Sequence, residues 1–210
     1  MPSDADTGLQ RQKVELRRQG YATRRATPHK EQASTAALVR LQALPEYAAA
    51  NTVMWYLHCR SELRTYNGVK HQLGTSKRIV VPYCTVDDAG ENRLGLWRLQ
   101  SMQELVAGMW SILEPPSERW NEAGRSVQPH ELDLVVVPGV GFDRRGERLG
   151  NGQGYYDRLL PLVRPDALLV GLCYESQLVP EIPVGPNDYR VHKVVTERTV
   201  YTTLGARRTL

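Results

Sequence analysis

Between residues 137 and 160 the chain reads VPGVGFDRRGERLGNGQGYYDRLL, and six of its 17 glycines, Gly139, Gly141, Gly146, Gly150, Gly152 and Gly154, fall there. No other stretch is so biased. Glycine lets a backbone approach a ligand closely, and this segment lies between an apolar run at 132–137 and a helical pattern that begins at Tyr155. There the edge of a parallel sheet exposes backbone amides and a helix start adds positive potential, the physical needs of a phosphate cradle. The spelling is not G-x-G-x-x-G, because Tyr155 and Asp157 stand where a third glycine is required. It is not G-x-x-x-x-G-K-[ST] either, since no Gly-Lys-Ser/Thr occurs. On glycine content alone, a phosphate loop and a turn that merely reverses the chain stay equally open. Elsewhere, His29, His58, His71, His130 and His192 show no metal-ligand spacing. Cys59, Cys84 and Cys173 form no C-x-x-C and no even framework, so they read as reduced thiols.

The elements that must position such a loop follow from periodicity. Residues 9–44 read as helical, with a basic segment from Lys13 to Arg18, a break at Gly20, and a second start at Thr27 and Pro28. An apolar strand at 52–57, a helix at 61–73 and a strand at 78–81 stopped by Pro82 give a βαβ rhythm. Residues 83–86 and 94–99 flank an Asp-Asp-Ala-Gly-Glu-Asn turn, a hairpin signal, and Ser101 with Glu104 forms a capping box. A strand at 132–137, a helix at 155–163 and a strand at 167–173 complete the pattern, with 120–128 as loop. Continuous rather than alternating apolar strands imply a parallel sheet covered on both faces. The expected fold is α/β: a single three-layer domain over 1–204 with a mainly parallel central sheet and helices on both faces. It is Rossmann-like without the G-x-G-x-x-G fingerprint, with 205–210 as a tail.

At 210 residues, 41% hydrophobic and 24% charged, the chain suits one soluble core, and no apolar run reaches the roughly 18 residues of a membrane span. Lys+Arg 27 against Asp+Glu 23 gives +4, which favours anionic ligands. The basic residues are dispersed, without the aromatic-interleaved stripe of a nucleic-acid binder. The start, MPSDADTGLQ, carries acids and no apolar core, unlike a signal or transit peptide. A cytoplasmic monomer that binds neither membrane nor nucleic acid is the expectation.

The whole spelling P-G-x-G-F-D-x-x-G-x-R-L-G-x-G-x-G-Y-Y-D-R resembles the signature of 5-formyltetrahydrofolate cyclo-ligases, also called methenyltetrahydrofolate synthetases. The likeness continues in order along the chain: Lys13, Leu16 and Arg17; Glu62 and Thr65; Trp110 before Ile112-Leu113-Glu114-Pro115; Asn187-Asp188; and Thr196-Glu197. The resemblance implies a ligase of one-carbon metabolism in which ATP and Mg²⁺ drive closure of 5-formyltetrahydrofolate to 5,10-methenyltetrahydrofolate, releasing ADP and phosphate. A formamide is a poor electrophile and its oxygen a poor leaving group, so in such enzymes ATP phosphorylates that oxygen before nitrogen 10 attacks the carbon. The protein then supplies positioning and charge compensation, with no nucleophilic serine or cysteine.

The resemblance also nominates residues. For ATP it implies Gly150, Asn151, Gly152, Gln153, Gly154, Tyr155, Tyr156 and Asp157, with Arg148 compensating phosphate charge and counted with Glu62 as catalytic. Lys13 and Arg17, four apart on one helical face, suit joint phosphate contact, though basic pairs on helices are commonly solvated. Asp157 and Asp188 are the Mg²⁺ candidates; the competing account makes them a first-turn acid and a turn former. For reduced folate the nominees are Glu62, Trp110, Tyr155 and Tyr156, with Thr65 a weaker one. Glu62 could equally serve a helix dipole after Ser61, and the aromatic residues could be core. At Asn151 many relatives carry a long residue such as Arg, and at His192 they commonly carry Asp, so no metal role passes to His192. The rivals from other classes are a nucleotide-responsive or nucleic-acid-binding module, and a phosphosugar isomerase or acyl transfer enzyme on a similar sheet.

Overall fold

A computed structural model describes residues 4–203, with side chains from residue 7 onward; the expected tail at 205–210 lies outside the described residues. Helix α1 (Asp4–Ala26) runs straight through Gly20, where the sequence reading places a break. The glycine serves packing instead: a Cβ there would lie 2.7 Å from Val140 Cγ1 and 2.9 Å from the Val140 carbonyl oxygen. After α2 (Lys30–Gln42) and α3 (Pro45–Ala49) comes β1 (Thr52–Met54), three residues long. The apolar run beyond it, Trp55 to Leu57, is buried; the Trp55 amide still bonds the Val80 carbonyl (2.8 Å), and Tyr56 and Leu57 go on to line the site.

Helix α4 (Tyr66–Gln72) starts five residues later than the pattern suggests. Thr65 laces the preceding loop: its hydroxyl donates to the Tyr56 carbonyl (2.8 Å) and accepts from the His58 amide (3.0 Å), while its amide donates to His58 Nδ1 (3.1 Å). Strand β2 (Arg78–Val86) passes through Pro82 and pairs antiparallel with β3 (Asn92–Leu99). Pro82 is tolerated because β1 pairs with β2 only as far as Val80, so that flank of β2 needs no donor there.

The short pair β4 (Val106–Ala107) and β5 (Leu113–Glu114) precedes β6 (Leu134–Val137), and a second short pair, β7 (Gly141–Phe142) and β8 (Arg148–Leu149), leads to α5 (Tyr155–Leu159). Helix α5 ends earlier than expected, passing into a tight turn at Leu160–Leu162, because Pro161 has no N–H to continue the helix. Strands β9 (Leu168–Leu172), β10 (Lys193–Val195) and β11 (Val200–Thr202) close the seven-stranded sheet, ordered β11-β10-β9-β6-β1-β2-β3.

Its five central strands are parallel and each edge carries an antiparallel partner. Successive side chains of a strand face opposite ways, and both faces are buried. Leu134 and Val136 pack with Ala37, Leu41, Tyr47 and Val69 from α2, α3 and α4. Val135 and Val137 pack with Tyr155 and Leu159 from α5. The expected three-layer α/β architecture is thus the observed one. From β1 the chain moves to β2 on one side, and from β6 to β9 on the other. The crevice beyond the carboxyl ends of β1 and β6 is therefore a topological switch point, where open α/β sheets bind ligands.

Candidate functional site

That crevice opens into a cavity of about 910 Å³ whose lining includes Tyr56, Leu57 and the 59–62 loop after β1, Pro138 and Gly139 after β6, and the glycine loop at 150–154. Seven cationic side chains line it, Arg18, Arg24, Arg25, Lys30, Arg60, Arg64 and Arg148, against three acids, Glu62, Glu114 and Asp157. The excess of positive charge suits a polyanionic ligand.

The glycine loop is shaped by its own backbone and by bonds to its neighbours. Gly152 and Gly154 hold φ of 93° and 71°, values at which any side chain is strained. Asn151 Oδ1 accepts from the Gln153 amide (3.1 Å), shaping the loop from within. Arg17 donates to the Gly150 carbonyl (2.9 Å), so α1 is tied to the loop. Behind it, Arg148 is buried on β8; its guanidinium bonds Asp157 and lies 5.6 Å from the Tyr156 ring centroid. Arg148 Nε and the Tyr156 hydroxyl are both buried without a hydrogen-bond partner. Both residues line the cavity, where a bound ligand would give these atoms partners. Burial, and then the charge of Glu62, push the Tyr156 phenol up, so it stays protonated and able to donate.

Glu62 sits in the loop after β1, its Oε2 accepting from the Cys59 amide (2.9 Å) and its Oε1 facing Arg24 Nη1 at 3.4 Å. Burial pushes its carboxyl up, while Arg24, first through its charge, pulls it down. Trp110 is 43% exposed and meets Tyr155 edge to face, with centroids 6.3 Å apart. Trp110 and Ser111 both hold left-handed backbone, φ 56° and 60°. Such strain costs roughly 1–2 kcal/mol per residue and clusters at ligand-binding positions.

The structure therefore brings Glu62, Trp110, Arg148, Gly150, Asn151, Gly152, Gln153, Gly154, Tyr155, Tyr156 and Asp157 to one cavity. Lys13, Arg17 and Asp188 do not line it. Lys13 and Arg17 do share a face of α1, but Lys13 is buried in an ion pair with Asp188, whose Oδ2 also accepts from the Gly185 amide. Asp157 pairs with Arg148 and Asp188 with Lys13, and among the described residues no group of three or more His, Cys, Asp and Glu is placed to hold a metal. Thr65 is fully buried and does not line the cavity; its hydroxyl serves the loop.

Two residues went unnoticed. Arg24 carries no motif and was visible only as part of the basic pair that ends α1. Glu114 lines the cavity and accepts from the Met109 (3.1 Å) and Cys84 (3.3 Å) amides; it was noted only as a spelled position. Burial raises the thiols of Cys59, Cys84 and Cys173, the opposite of an activated nucleophile. Among the described residues no helix is long and apolar enough to cross a membrane.

The chain is 33% identical over 172 residues to the mitochondrial 5-formyltetrahydrofolate cyclo-ligase of Arabidopsis thaliana, covering 72% of this chain and 61% of that protein. It is 32% identical over 185 residues to the 5-formyltetrahydrofolate cyclo-ligase of Escherichia coli strain K12, covering 85% and 96%. It thus spans three-fifths of the plant protein and nearly all of the bacterial one. The solved structure of Aquifex aeolicus 5,10-methenyltetrahydrofolate synthetase matches with a TM-score of 0.76 at 31% identity, over 94% of this chain and 96% of that one. The model of the 5-formyltetrahydrofolate cyclo-ligase family matches residues 9–197, and the chain belongs to that family.

Proposed function

We propose that the chain cyclises 5-formyltetrahydrofolate to 5,10-methenyltetrahydrofolate with ATP as co-substrate. The observation that carries this reading is one cavity that joins a positive-φ glycine loop, Arg148 and Asp157 to a second set of pterin-suited groups, Glu62, Tyr155, Tyr156 and Trp110. On this reading the amides of Gly150 to Gly154 cradle the triphosphate and Arg148 compensates its charge. Arg17 serves from behind, through its bond to the Gly150 carbonyl. A Mg²⁺ ion bound with the nucleotide would neutralise phosphate charge and take one or two carboxylates beside phosphate oxygens and waters, and Asp157, in the cavity wall, would be one that holds it. Glu62 hydrogen-bonds the folate and the aromatic faces flank its ring.

The chemistry then needs alignment more than reactive side chains. The formyl oxygen attacks the terminal phosphorus and ADP leaves. Nitrogen 10 attacks the activated carbon and loses its proton, and the C–O bond breaks to release phosphate. A formyl group labelled with ¹⁸O tests this: the label should be recovered in inorganic phosphate. Phosphate free of label, with methenyl product formed, would overturn the mechanism. Nothing in the cavity favours the isomerase or acyl-transfer reading, which needs no nucleotide cradle, and no basic stripe favours a nucleic-acid module.

A further inference from the structure

Helix α1 acts as a ruler along the cleft. Arg17 meets the glycine loop, Gly20 abuts Val140 one turn on, and Arg24 reaches the loop after β1. At 1.5 Å per residue the seven residues from Arg17 to Arg24 span about 10 Å. Arg24 ends this ruler as a buried cation, its side chain 6% exposed. Its Nε donates to Ser61 Oγ (3.1 Å), and its Nη1 faces both Glu62 Oε1 and the Gly139 carbonyl at 3.4 Å. One guanidinium therefore joins α1 to the loops that leave β1 and β6, the two strands at the switch point.

We propose that Arg24 is the positioning residue of Glu62, fixing its carboxylate against the Cys59 amide and supplying its buried counter-charge. The inference rests on the placement of folate at Glu62 above. The groups around that carboxyl are Arg24 from α1, Tyr56 and Cys59 from the end of β1 and its loop, and Tyr156 from α5, while the Tyr174 hydroxyl bonds the Glu62 carbonyl. Arg24 is the cation whose charge acts on that carboxyl, while Arg60 and Arg148 lie against Cys59 and Tyr156. The tyrosines and the thiol are neutral at working pH, because burial raises each of them. Without Arg24, burial acts on Glu62 unopposed by charge and the carboxyl takes up a proton at higher pH.

Two variants separate charge from shape. Arg24→Gln keeps a donor of modest size and removes the charge; Arg24→Lys keeps the charge and loses the three-way bridge. In the unliganded protein, the ¹³C signal of the Glu62 carboxyl should titrate at higher pH in Arg24→Gln than in the parent, and close to the parent in Arg24→Lys. The acidic limb of kcat/KM for the folate should move the same way, with a loss of roughly tenfold or more at neutral pH in Arg24→Gln. Glu62→Gln should abolish that limb, and adding Arg24→Gln to it should cost little more. A Glu62 signal that titrates as in the parent in Arg24→Gln, or as high in Arg24→Lys as in Arg24→Gln, would overturn the proposal. A displaced carboxyl titration with parental folate kinetics in Glu62→Gln would instead overturn the placement of the folate, and with it the positioning role, while leaving the Arg24–Glu62 coupling intact.

Discussion

Two glycines in one helix should respond to the same substitution with opposite sign. Gly8 and Gly20 both lie within α1, and replacing glycine by alanine inside a helix contributes roughly 0.5–1 kcal/mol of stability. At Gly8 a Cβ meets nothing within 4 Å, so Gly8→Ala should realise that gain. At Gly20 the new methyl would lie 2.7 Å from Val140 Cγ1 and 2.9 Å from the Val140 carbonyl oxygen. Carbon atoms rest at about 3.5–4.0 Å, and the carbonyl belongs to backbone whose amide is itself bonded to the Leu149 carbonyl at 2.7 Å. Overpacking of this kind costs typically 1–3 kcal/mol. Helix propensity cancels between the two variants, so their stabilities should differ by that overpacking cost. For a chain of this size the thermal midpoints then separate by roughly 2–4 °C per kcal/mol. Because Arg17 and Arg24 ride on α1, Gly20→Ala should also raise KM for both substrates, and Gly8→Ala should not. Differential scanning calorimetry with steady-state kinetics reads both effects. Equal stabilisation by the two substitutions would refute the claim that Gly20 marks a close approach of α1 to the site.

Arg148→Ala should weaken nucleotide use far more than folate binding, since the guanidinium stands behind the glycine loop beside Asp157; unchanged ATP affinity and turnover would remove it from the site. Asp157→Asn should raise the Mg²⁺ concentration needed for half-maximal rate, whereas Asp188→Asn should lower thermal stability through the buried Lys13 and leave the Mg²⁺ dependence alone; a raised Mg²⁺ requirement in Asp188→Asn would make Asp188 a metal residue. Replacing Cys59, Cys84 and Cys173 together by alanine should leave turnover within a few-fold, with some loss of stability from the buried Cys173, and complete loss in a folded variant would contradict the absence of thiol chemistry.

The site was more legible than the elements around it. The glycine loop carried its own signal because positive φ at Gly152 and Gly154 demands a residue type that the sequence displays. Arg148, Tyr156 and Glu62 were named by spelling, and the fold placed them together. Gly20 misled because glycine has two uses, breaking a helix and admitting a close neighbour, and only the neighbour's position tells them apart. Trp55 to Leu57 misled because burial at the end of a strand has the same composition as burial within it. Arg24 was invisible for a related reason: a basic residue near a helix end is ordinarily solvated, and what singles it out is contact with residues 37 and 115 positions away. Asp188 was named by its motif, which fixes residue type but not the side chain's partner, Lys13, 175 positions off.

The central claim is ATP-dependent formation of a methenyl bridge inside this cavity. Purified protein with 5-formyltetrahydrofolate, Mg²⁺ and ATP, followed by the absorbance of 5,10-methenyltetrahydrofolate, tests it most directly. The expected result is a rising methenyl signal, one phosphate released per product, and no signal when ATP is omitted. A methenyl signal that rises equally well without ATP, or ATP present in excess with no product from folded protein, would contradict it.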